Sequence, residues 1–591
     1  MKSRYFFPFL AIILYVAQSF SQEQWIFKAM NDEMDRTLTN LKIDTLKPPY
    51  YVSYKVTENE SHYVRASLGS LITVSNTPRS RSLNVQIRVG NRTFDNSNFI
   101  SYGIYGSSGV VYVSDEGTRS TTYESDYDAL RRDLWMASDA VYKRALAELS
   151  KKKAVLENII RTDTTADFSP AKPFTASVEP IQIAFDGEWW KERAKKFSAI
   201  LKLYPEIQSS DVNAGTRTDY IYFLNSEGSR NTHRKTRAWI EVKAKTQAAD
   251  GMSLVNYVTF YGNTKDELPS DQEMLVGIDK MARDLVALRA APVLDEYSGP
   301  VLFEQEAAGE LVSQGLGSNV CYLRDPIADN PQLDQQIRSL IGELPFQNKV
   351  GARVLPKFLS VVDAPTQSKY KGMSLMASYI VDEEGVPAQD VKVIDKGFLK
   401  TLLISRTPHK RVPESNGHGR TDPSQAFFSN LIVTASQPTN DADMKKKLIG
   451  LCKEVGLEYG LIIRKINNPY FKQSLREPTD PSSSTRLFMT EPILAYKLFL
   501  NGKEELVRGV EFSGMTPQSF KDIVAASQTS YVYNHITKQK KTTLSGLYSG
   551  TDVRVSVVTP SLLFESVDLK KGSQQSRSLP IASRPAFGNQ K

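Results

Sequence analysis

The stretch from Tyr297 to Gly317, YSGPVLFEQEAAGELVSQGLG, constrains the fold of this chain more than any other. Its apolar run at Val301 to Phe303 is typical of a short buried strand, and the spacing of apolar residues from Glu304 to Gln314 predicts a helix. Glu306 and Glu310 lie four residues apart, on a more polar side of that helix. A strand that passes directly into a helix is a favourable place for chemistry.

The first 21 residues have the pattern of a signal peptide. Lys2 and Arg4 precede the apolar run from Phe6 to Ala17, and small residues occupy positions 19 and 21. Cleavage near Ser21 is therefore expected, with export to the periplasm or the extracellular space. A retained N-terminal anchor is the alternative, although the apolar run is short for a membrane span, and no later stretch is long enough for one.

The charge and the cysteines of the chain bear on two questions, whether it binds nucleic acid and whether it contains a disulfide. The net charge of +8 includes Lys2 and Arg4, and the remaining basic residues are interspersed with nearly as many acidic ones. Nucleic acid is therefore not an expected partner, least of all for an exported protein. The two cysteines, Cys321 and Cys452, are far apart in the sequence, which leaves open whether they pair or stay as buried thiols.

The first half of the chain reads as helices packed on an antiparallel sheet. Amphipathic patterns predict helices at 25–41, 128–151, 189–201 and 271–290, and alternating patterns predict strands at 50–56, 71–74, 83–89, 218–224 and 237–246. The expected fold class is α+β, with an N-terminal helix-plus-antiparallel-sheet domain at 22–292.

The second half is rich in strands. Strands are expected at 355–362, 374–381, 390–394, 398–404, 430–435, 460–466, 493–499 and 553–558, with helices only at 441–455 and 517–526. A β-rich domain at 293–571 follows from this pattern. The segment at 325–348 reads as an insertion with a short helix and no assigned role. Residues 469–486 read as a mobile loop, and residues 572–591 as a disordered tail.

Four motifs together resemble the TldD/PmbA family. They are GPVLFEQEAAGELV from Gly299, VVDAPT from Val361, VDEEGVPAQDVKVIDKGFLKTLL from Val381 and SNGHGR from Ser415. The resemblance implies a C-terminal domain of TldD/PmbA type. It also implies a relation to zinc peptidases, a family once described as modulators of DNA gyrase, and subunits that pair around a cavity that admits extended peptides.

The resemblance also places this chain in the metal-free PmbA (TldE) branch. Peptidase members carry His-Glu-x-x-x-His on the helix that corresponds to residues 305–310. This chain has Gln305 and Glu310 at the two histidine positions and Glu306 at the general-base position. The family's ligand cysteine would fall near 545–551, where no cysteine occurs. No metal ligand and no catalytic residue is therefore expected here, and zinc would be supplied only through a partner subunit.

The SNGHGR loop is the candidate peptide-binding element. Gly417 and Gly419 allow close backbone approach, and Asn416, His418 and Arg420 offer hydrogen-bond donors that suit a peptide carboxylate or main chain. The same loop in the family lies near the active site. A long hairpin loop with incidental polar residues is the alternative interpretation.

Two other metal arrangements remain open. Two of His409, His418 and His535 could join Glu306 or Glu310 in a site unrelated to the family's, and Glu304, Glu306 and Glu310 could hold calcium. Surface histidines and a solvated helix face explain the same residues. Asp382 to Gly385 is acidic, but it is read as a hairpin turn.

These observations predict an exported, noncatalytic partner subunit that binds extended peptides, paired with a TldD-like zinc peptidase or with a second copy of itself. A self-sufficient peptidase with an unassigned site and a stand-alone peptide-binding protein of the cell envelope are the alternatives.

Overall fold

The computed structural model describes residues 7–41, 48–100, 102–104, 110–112, 116–157, 163–178, 185–341, 345–420, 425–471, 487, 489–539 and 551–572. Its α-helices are α1 (Phe7–Asn40), α2 (Tyr127–Glu157), α3 (Gly187–Ile200), α4 (Asp271–Ala290), α5 (Glu306–Val312), α6 (Pro331–Ile341) and α7 (Asp441–Glu454). Two large sheets organise these helices, one formed by residues up to Gly262 and one by residues from Glu296 onward.

The strands of the first half are β1 (Tyr51–Ser67), β2 (Ser70–Arg88), β3 (Phe99–Ile100), β4 (Tyr102–Ile104), β5 (Val110–Tyr112), β6 (Glu116–Thr121), β7 (Thr175–Ser177), β8 (Ser209–Asn225), β9 (Arg230–Gln247) and β10 (Ser253–Gly262). Seven of them form a sheet in the order β10-β9-β8-β1-β2-β6, with β7 added to β9. All neighbours in this order are antiparallel, as the sequence predicted.

One face of this sheet is covered by helices in two groups. Helices α1 and α2 cover apolar residues of one end, such as Val52, Tyr54 and Val85, while α3 and α4 cover the other end, which includes Val64 and Ile240. Since side chains alternate between the faces of a strand, the opposite face carries the polar residues of the same strands. That polar face is turned toward the second sheet.

The strands of the second half are β11 (Glu296–Phe303), β12 (Ile327–Ala328), β13 (Leu359–Asp363), β14 (Lys369–Tyr370), β15 (Met373–Ser374), β16 (Val391–Asp395), β17 (Phe398–Leu399), β18 (Gly419–Arg420), β19 (Gln425–Ala426), β20 (Asn430–Ala435), β21 (Tyr459–Ile466), β22 (Pro492–Phe499), β23 (Glu504–Val507), β24 (Val510–Phe512), β25 (Ile523–Gln539) and β26 (Thr551–Lys571). Eleven form a mixed sheet, ordered β17-β16-β13-β20-β26-β11-β21-β22-β23, with β24 and β25 added to β26. The α+β fold class predicted from the sequence is confirmed.

Ionic and apolar contacts join the two sheets. Glu383 is held by Lys55 of β1, with 3.2 Å between Nζ and Oε2, and by Lys235 of β9. Trp239 of β9 packs in an apolar cluster with Ile536 of β25. The polar face of the first sheet therefore forms a seam against the second half of the chain.

Several sequence expectations need correction. Residues 517–526 do not form a helix: only Ser519–Asp522 make a 3-10 turn, and Ile523 already begins β25, because pairing with β26 outweighs local helix propensity. Nor is 374–381 a strand, since only Ser374 belongs to β15 and Val381 makes an isolated bridge with Pro387. That bridge encloses the predicted turn, in which Gly385 has φ +77°.

Some expectations concern residues that the structure does not describe. These are residues 1–6 of the predicted signal peptide, most of the 469–486 loop and residues 573–591 of the predicted tail. Cys321 and Cys452 are both buried free thiols. No helix within the described ranges is long and apolar enough to cross a membrane.

Candidate functional site

The site is built at the junction predicted from the sequence, where β11 passes into α5. Strand β11 is fixed between β26 and β21, and Gln305 turns the chain into the helix with φ +45°. The helix itself is shorter than predicted, running from Glu306 to Val312 before a π-helical turn at Ser313–Gly317. Such turns recur at functional sites.

Helix α5 packs very closely on β25. A Cβ on Gly309 would lie 2.8 Å from the Cβ of Tyr533, closer than side-chain carbons approach one another. Only glycine permits this contact, which brings the next residue, Glu310, against the Tyr533 hydroxyl.

Glu310 is completely buried and hydrogen-bonded. Its Oε2 accepts from the Tyr533 hydroxyl at 2.8 Å, and its Oε1 accepts from Gln314 Nε2 at 2.7 Å. Burial raises the pKa of this carboxyl to about 8, although both hydrogen bonds act in the opposite direction. The side chain is therefore mainly a neutral carboxylic acid at pH 7.

Gln314 extends the network to residues on both sides of 472–486. Its Oε1 accepts from the backbone N–H of Thr490 at 2.9 Å, and its Nε2 also donates to Thr490 Oγ1 at 2.9 Å and to the carbonyl of Asn467 at 3.1 Å. The neighbouring Asn468 donates to the Tyr533 hydroxyl at 3.4 Å. The polar atoms around Glu310 thus bind one another.

The remaining glutamates of the junction are ion-paired. Glu306 Oε1 lies 3.2 Å from Lys465 Nζ, and Glu304 Oε2 accepts from Arg464 Nε at 2.8 Å. Glu304 and Glu310 are thus bound by different partners, and the three carboxylates do not converge as a calcium site requires. Glu306, which occupies the family's general-base position, forms an ion pair with the buried Lys465.

His535 is the histidine that lies nearest to this network. Its Nε2 is 2.9 Å from Ser313 Oγ, and its ring stacks on that of Tyr533 at 4.1 Å. Burial lowers its pKa to about 3, so the imidazole is neutral. His409 and His418 lie elsewhere, in contact with Tyr322 and Asp363 respectively. The structure does not bring the three histidines together.

The residues at the family's zinc position do not fit zinc. Gln305 is exposed, whereas Glu310 is buried and already bound by Tyr533 and Gln314. Among the residues that the structure describes, no group of three His, Cys, Asp or Glu side chains could hold a metal ion. The region of the family's ligand cysteine, near 545–551, lies outside those residues except for Thr551.

The SNGHGR loop is held by internal hydrogen bonds. Asn416 donates to the carbonyl of Leu402 at 2.8 Å, the carbonyl of Gly417 accepts from Tyr379, and the N–H of Gly419 donates to Asp382 at 2.9 Å. His418 is fully buried, with Nδ1 2.9 Å from the carbonyl of Asn416. Peptide binding through these residues stays a prediction, and Arg420 donates from Nη1 to the carbonyl of Phe428 and from Nη2 to that of Arg554.

Strand β25 forms an edge of the larger sheet among the described strands. Among the described strands it pairs along its length only with β26, and a single bridge joins Ser527 to Thr439. Its residues Tyr531 and Tyr533 adjoin the α5 junction, and Ile536 contacts Trp239 of the first sheet. An edge of this kind can accept a further strand through main-chain hydrogen bonds.

Tyr533, Gln314, Asn468 and Thr490 were not anticipated from the sequence as site residues. They come from four separate segments, and only the tertiary fold brings them to Glu310. No local spacing signals such a network.

Comparisons with known proteins agree with this fold. Residues 296–571 match the family model for the PmbA/TldA metallopeptidase C-terminal domain. A metalloprotease of Methanocaldococcus jannaschii is 27% identical over 201 residues, which are 34% of this chain and 40% of that protein. The chain thus matches less than half the length of this curated relative.

Two solved structures have the same overall fold. TldE from Thermococcus kodakarensis has a TM-score of 0.55 at 12% identity, over 92% of this chain and 99% of that one. A Thermotoga maritima protein described as a candidate modulator of a DNA gyrase has a TM-score of 0.54 at 15% identity, over 91% and 100%. The fold is therefore that of TldD/TldE-type proteins. Residues 296–571, which contain all four motifs, therefore form a domain of the PmbA/TldA metallopeptidase C-terminal family.

Proposed function

We propose that this protein is an exported, noncatalytic subunit that binds extended peptides together with a zinc metallopeptidase of the same family. The observation that carries the proposal is the state of helix α5. Where the resemblance places a zinc-binding histidine, this chain has a neutral, buried Glu310 whose partners are Tyr533 and Gln314. The helix is built as a structural element rather than as a metal site.

A peptide-binding role is supported by β25. One edge of β25 is unpaired among the described strands, and Tyr533 contacts α5 while Ile536 contacts Trp239 of the first sheet, so that a peptide added at this edge would lie near both. Main-chain pairing is largely independent of side-chain sequence, which suits a subunit that presents varied substrates. Export is supported by the N-terminal sequence pattern, and cleavage near Ser21 would leave the described second half intact.

The test compares the chain alone with the chain in a mixture. The protein lacking residues 1–21 is purified, its zinc content is measured by mass spectrometry, and cleavage of an unstructured peptide is followed. The same assays are run after coexpression with a family member from the same source that carries His-Glu-x-x-x-His. We expect no stoichiometric zinc and no cleavage by the chain alone, and faster cleavage by the mixture than by the zinc subunit alone.

Each contrary outcome points to one alternative. Stoichiometric zinc and cleavage by the chain alone would contradict the proposal and identify a self-sufficient peptidase. Tight peptide binding with no effect on the zinc subunit would identify a stand-alone peptide-binding protein. Light scattering of the mixture distinguishes a mixed dimer from a pair of identical chains.

A further inference from the structure

Four arginines from distant parts of the chain meet at the seam between the two sheets. Arg217 lies on β8, Arg237 on β9, Arg420 on β18 and Arg554 on β26. Arg217 and Arg237 are direct partners in the β8/β9 register, and Arg554 is the direct partner of Ile536 in the β25/β26 register. We call these four residues the arginine seam.

Direct contacts hold the members of the seam in place. Arg554 Nη1 donates to the carbonyl of Thr236, the residue before Arg237, and Arg420 Nη2 donates to the carbonyl of Arg554 at 2.9 Å. Arg420 also donates to the carbonyl of Phe428 at 3.3 Å. The guanidinium groups are therefore anchored by backbone carbonyls, which leaves their positive charge uncompensated by these bonds.

Of the four arginines, only Arg217 has a carboxylate partner among the described residues, since Asp219 accepts from its Nε at 3.1 Å. Other carboxyl groups nearby are engaged elsewhere: Asp552 pairs with Lys538, Asp363 accepts from Ser429, and Glu241 is buried with a pKa raised by that burial. Burial, together with the charges of Arg420 and Arg237, lowers the pKa of Arg554 to about 10. Like charges directly opposite each other in a sheet destabilise it, so this arrangement costs stability when no anion is bound.

Arg237 has unused hydrogen-bonding capacity. Its Nε is buried without a hydrogen-bond partner among the described residues, and its guanidinium stacks on the ring of Trp239 at 4.5 Å. Arg420 lies 5.0 Å from the ring of Tyr379. Guanidinium groups that rest on aromatic rings keep their N–H edges free for a planar anion, and a carboxylate matches that fork.

We propose that Arg237, Arg420 and Arg554 bind a carboxylate group of the peptide that the protein holds. This inference rests on the proposed peptide-binding function and adds a preference for substrate chemistry. Ile536 is three residues beyond Tyr533 on β25, a distance of about 10 Å along a strand. A peptide paired with β25 beside α5 therefore reaches the seam within a few residues, with its C-terminal carboxylate or with an acidic side chain.

The experiment measures the binding of four unlabelled, unstructured octapeptides to the purified chain by isothermal titration calorimetry. They share one neutral sequence and have either a free or an amidated C-terminus, each with glutamate or glutamine at one internal position. We expect at least one carboxylate-bearing peptide to bind about tenfold or more tightly than the peptide that is amidated and carries glutamine. The comparison of free terminus with internal glutamate identifies the source of the carboxylate.

Variants attribute the preference to the seam. Arg237→Gln should remove the advantage of the carboxylate peptides and leave the neutral peptide unchanged. Arg237→Lys, which keeps the charge but not the fork, should retain part of it. Arg283→Gln, at an exposed arginine of α4 paired with Asp279, is the matched control and should bind like the unmodified chain.

Three results would contradict the inference, and they can be told apart. Equal affinity for all four peptides would contradict the carboxylate site but not peptide binding. No binding of any peptide would contradict both proposals. Stronger competition by inorganic phosphate than by acetate at equal concentration would also contradict a site built for carboxylates.

Discussion

Helix α5 and the arginine seam lie beside the same strand, β25, but they treat their polar groups in opposite ways. Around α5, the groups on Glu310, Gln314 and Tyr533 bind one another. At the seam, Arg237 keeps a buried nitrogen without a partner among the described residues and faces another arginine across the sheet. The comparison teaches that the polar groups of α5 are used within the protein, whereas the seam retains a buried donor that no described residue engages.

The largest effect that we expect is on the pH dependence of stability, when the unmodified chain is compared with Glu310→Gln. The pKa of Glu310 is raised from 4.5 to about 8 in the folded chain. Below pH 4.5 both states are protonated. Between these values unfolding releases a proton, so the free energy of unfolding falls with rising pH by at most about 1.4 kcal/mol per unit. Urea unfolding at pH 5, 6.5 and 8 should show that Glu310→Gln lacks this contribution.

The control for that experiment is Glu188→Gln, at a glutamate whose side chain is 77% exposed. Its stability should follow that of the unmodified chain at all three pH values. If Glu310→Gln also follows it, the carboxyl is ionised in the folded protein and α5 is not the neutral site described here.

A methyl group on Gly309 should break the contact between α5 and β25. The added carbon would lie 2.8 Å from Tyr533 Cβ, so Gly309→Ala should lower the free energy of unfolding by about 1 to 3 kcal/mol. Gly450→Ala in α7 is the matched control, since a Cβ there meets nothing within 4 Å and alanine favours a helix. Equal effects of the two variants in urea unfolding would contradict the close packing.

Removing the Tyr533 hydroxyl should have a smaller effect. Tyr533→Phe leaves Glu310 Oε2 without its donor, which should cost about 1 to 2 kcal/mol of unfolding free energy. Tyr531→Phe, two residues away at a side chain that is 38% exposed, should change stability by less than about 0.5 kcal/mol. Chemical denaturation of the two variants at pH 6 measures the difference. An unchanged free energy of unfolding in Tyr533→Phe would show that the hydrogen-bond network around Glu310 does not contribute to stability.

At the arginine seam, a substitution should stabilise the protein instead of destabilising it. Arg237→Gln removes a cation that faces other arginines, so in the absence of peptide it should raise the free energy of unfolding by about 0.5 kcal/mol. Arg217→Gln should bring no such gain, because it also removes the ion pair with Asp219. If denaturant titrations show that Arg237→Gln is destabilised, the polar groups of the seam stabilise the fold as those around α5 do.

The junction at Tyr297 to Gly317 and the α+β class could be predicted from the sequence, because both depend on local periodicity. The family was readable from four short motifs in order. In contrast, the burial of Glu310 could not be anticipated, since a pair of glutamates spaced by four residues usually marks a solvated helix face. Its raised pKa follows from burial in the folded chain, where it lies against Tyr533, more than 200 residues away.

The arginine seam was equally hidden. Arg217 and Arg237 become neighbours only through the β8/β9 register, and Arg554 joins them through the seam between the sheets. The loop with Gly417 and Gly419 is held by hydrogen bonds to the protein itself, and peptide binding through it stays a prediction. Composition identifies residues that can bind, and the fold decides which of them remain free.

Strand β26 has a consequence for how the molecule is made. It pairs with β11, β20, β24 and β25, so that residues as far apart in the chain as Tyr297 and Leu569 lie side by side. The larger sheet cannot close before residues 551–571 have left the ribosome, and contacts of such long range form slowly. The second half of the molecule can therefore complete its fold only when nearly the whole chain has been synthesised, whereas the first sheet has all its strands by residue 262.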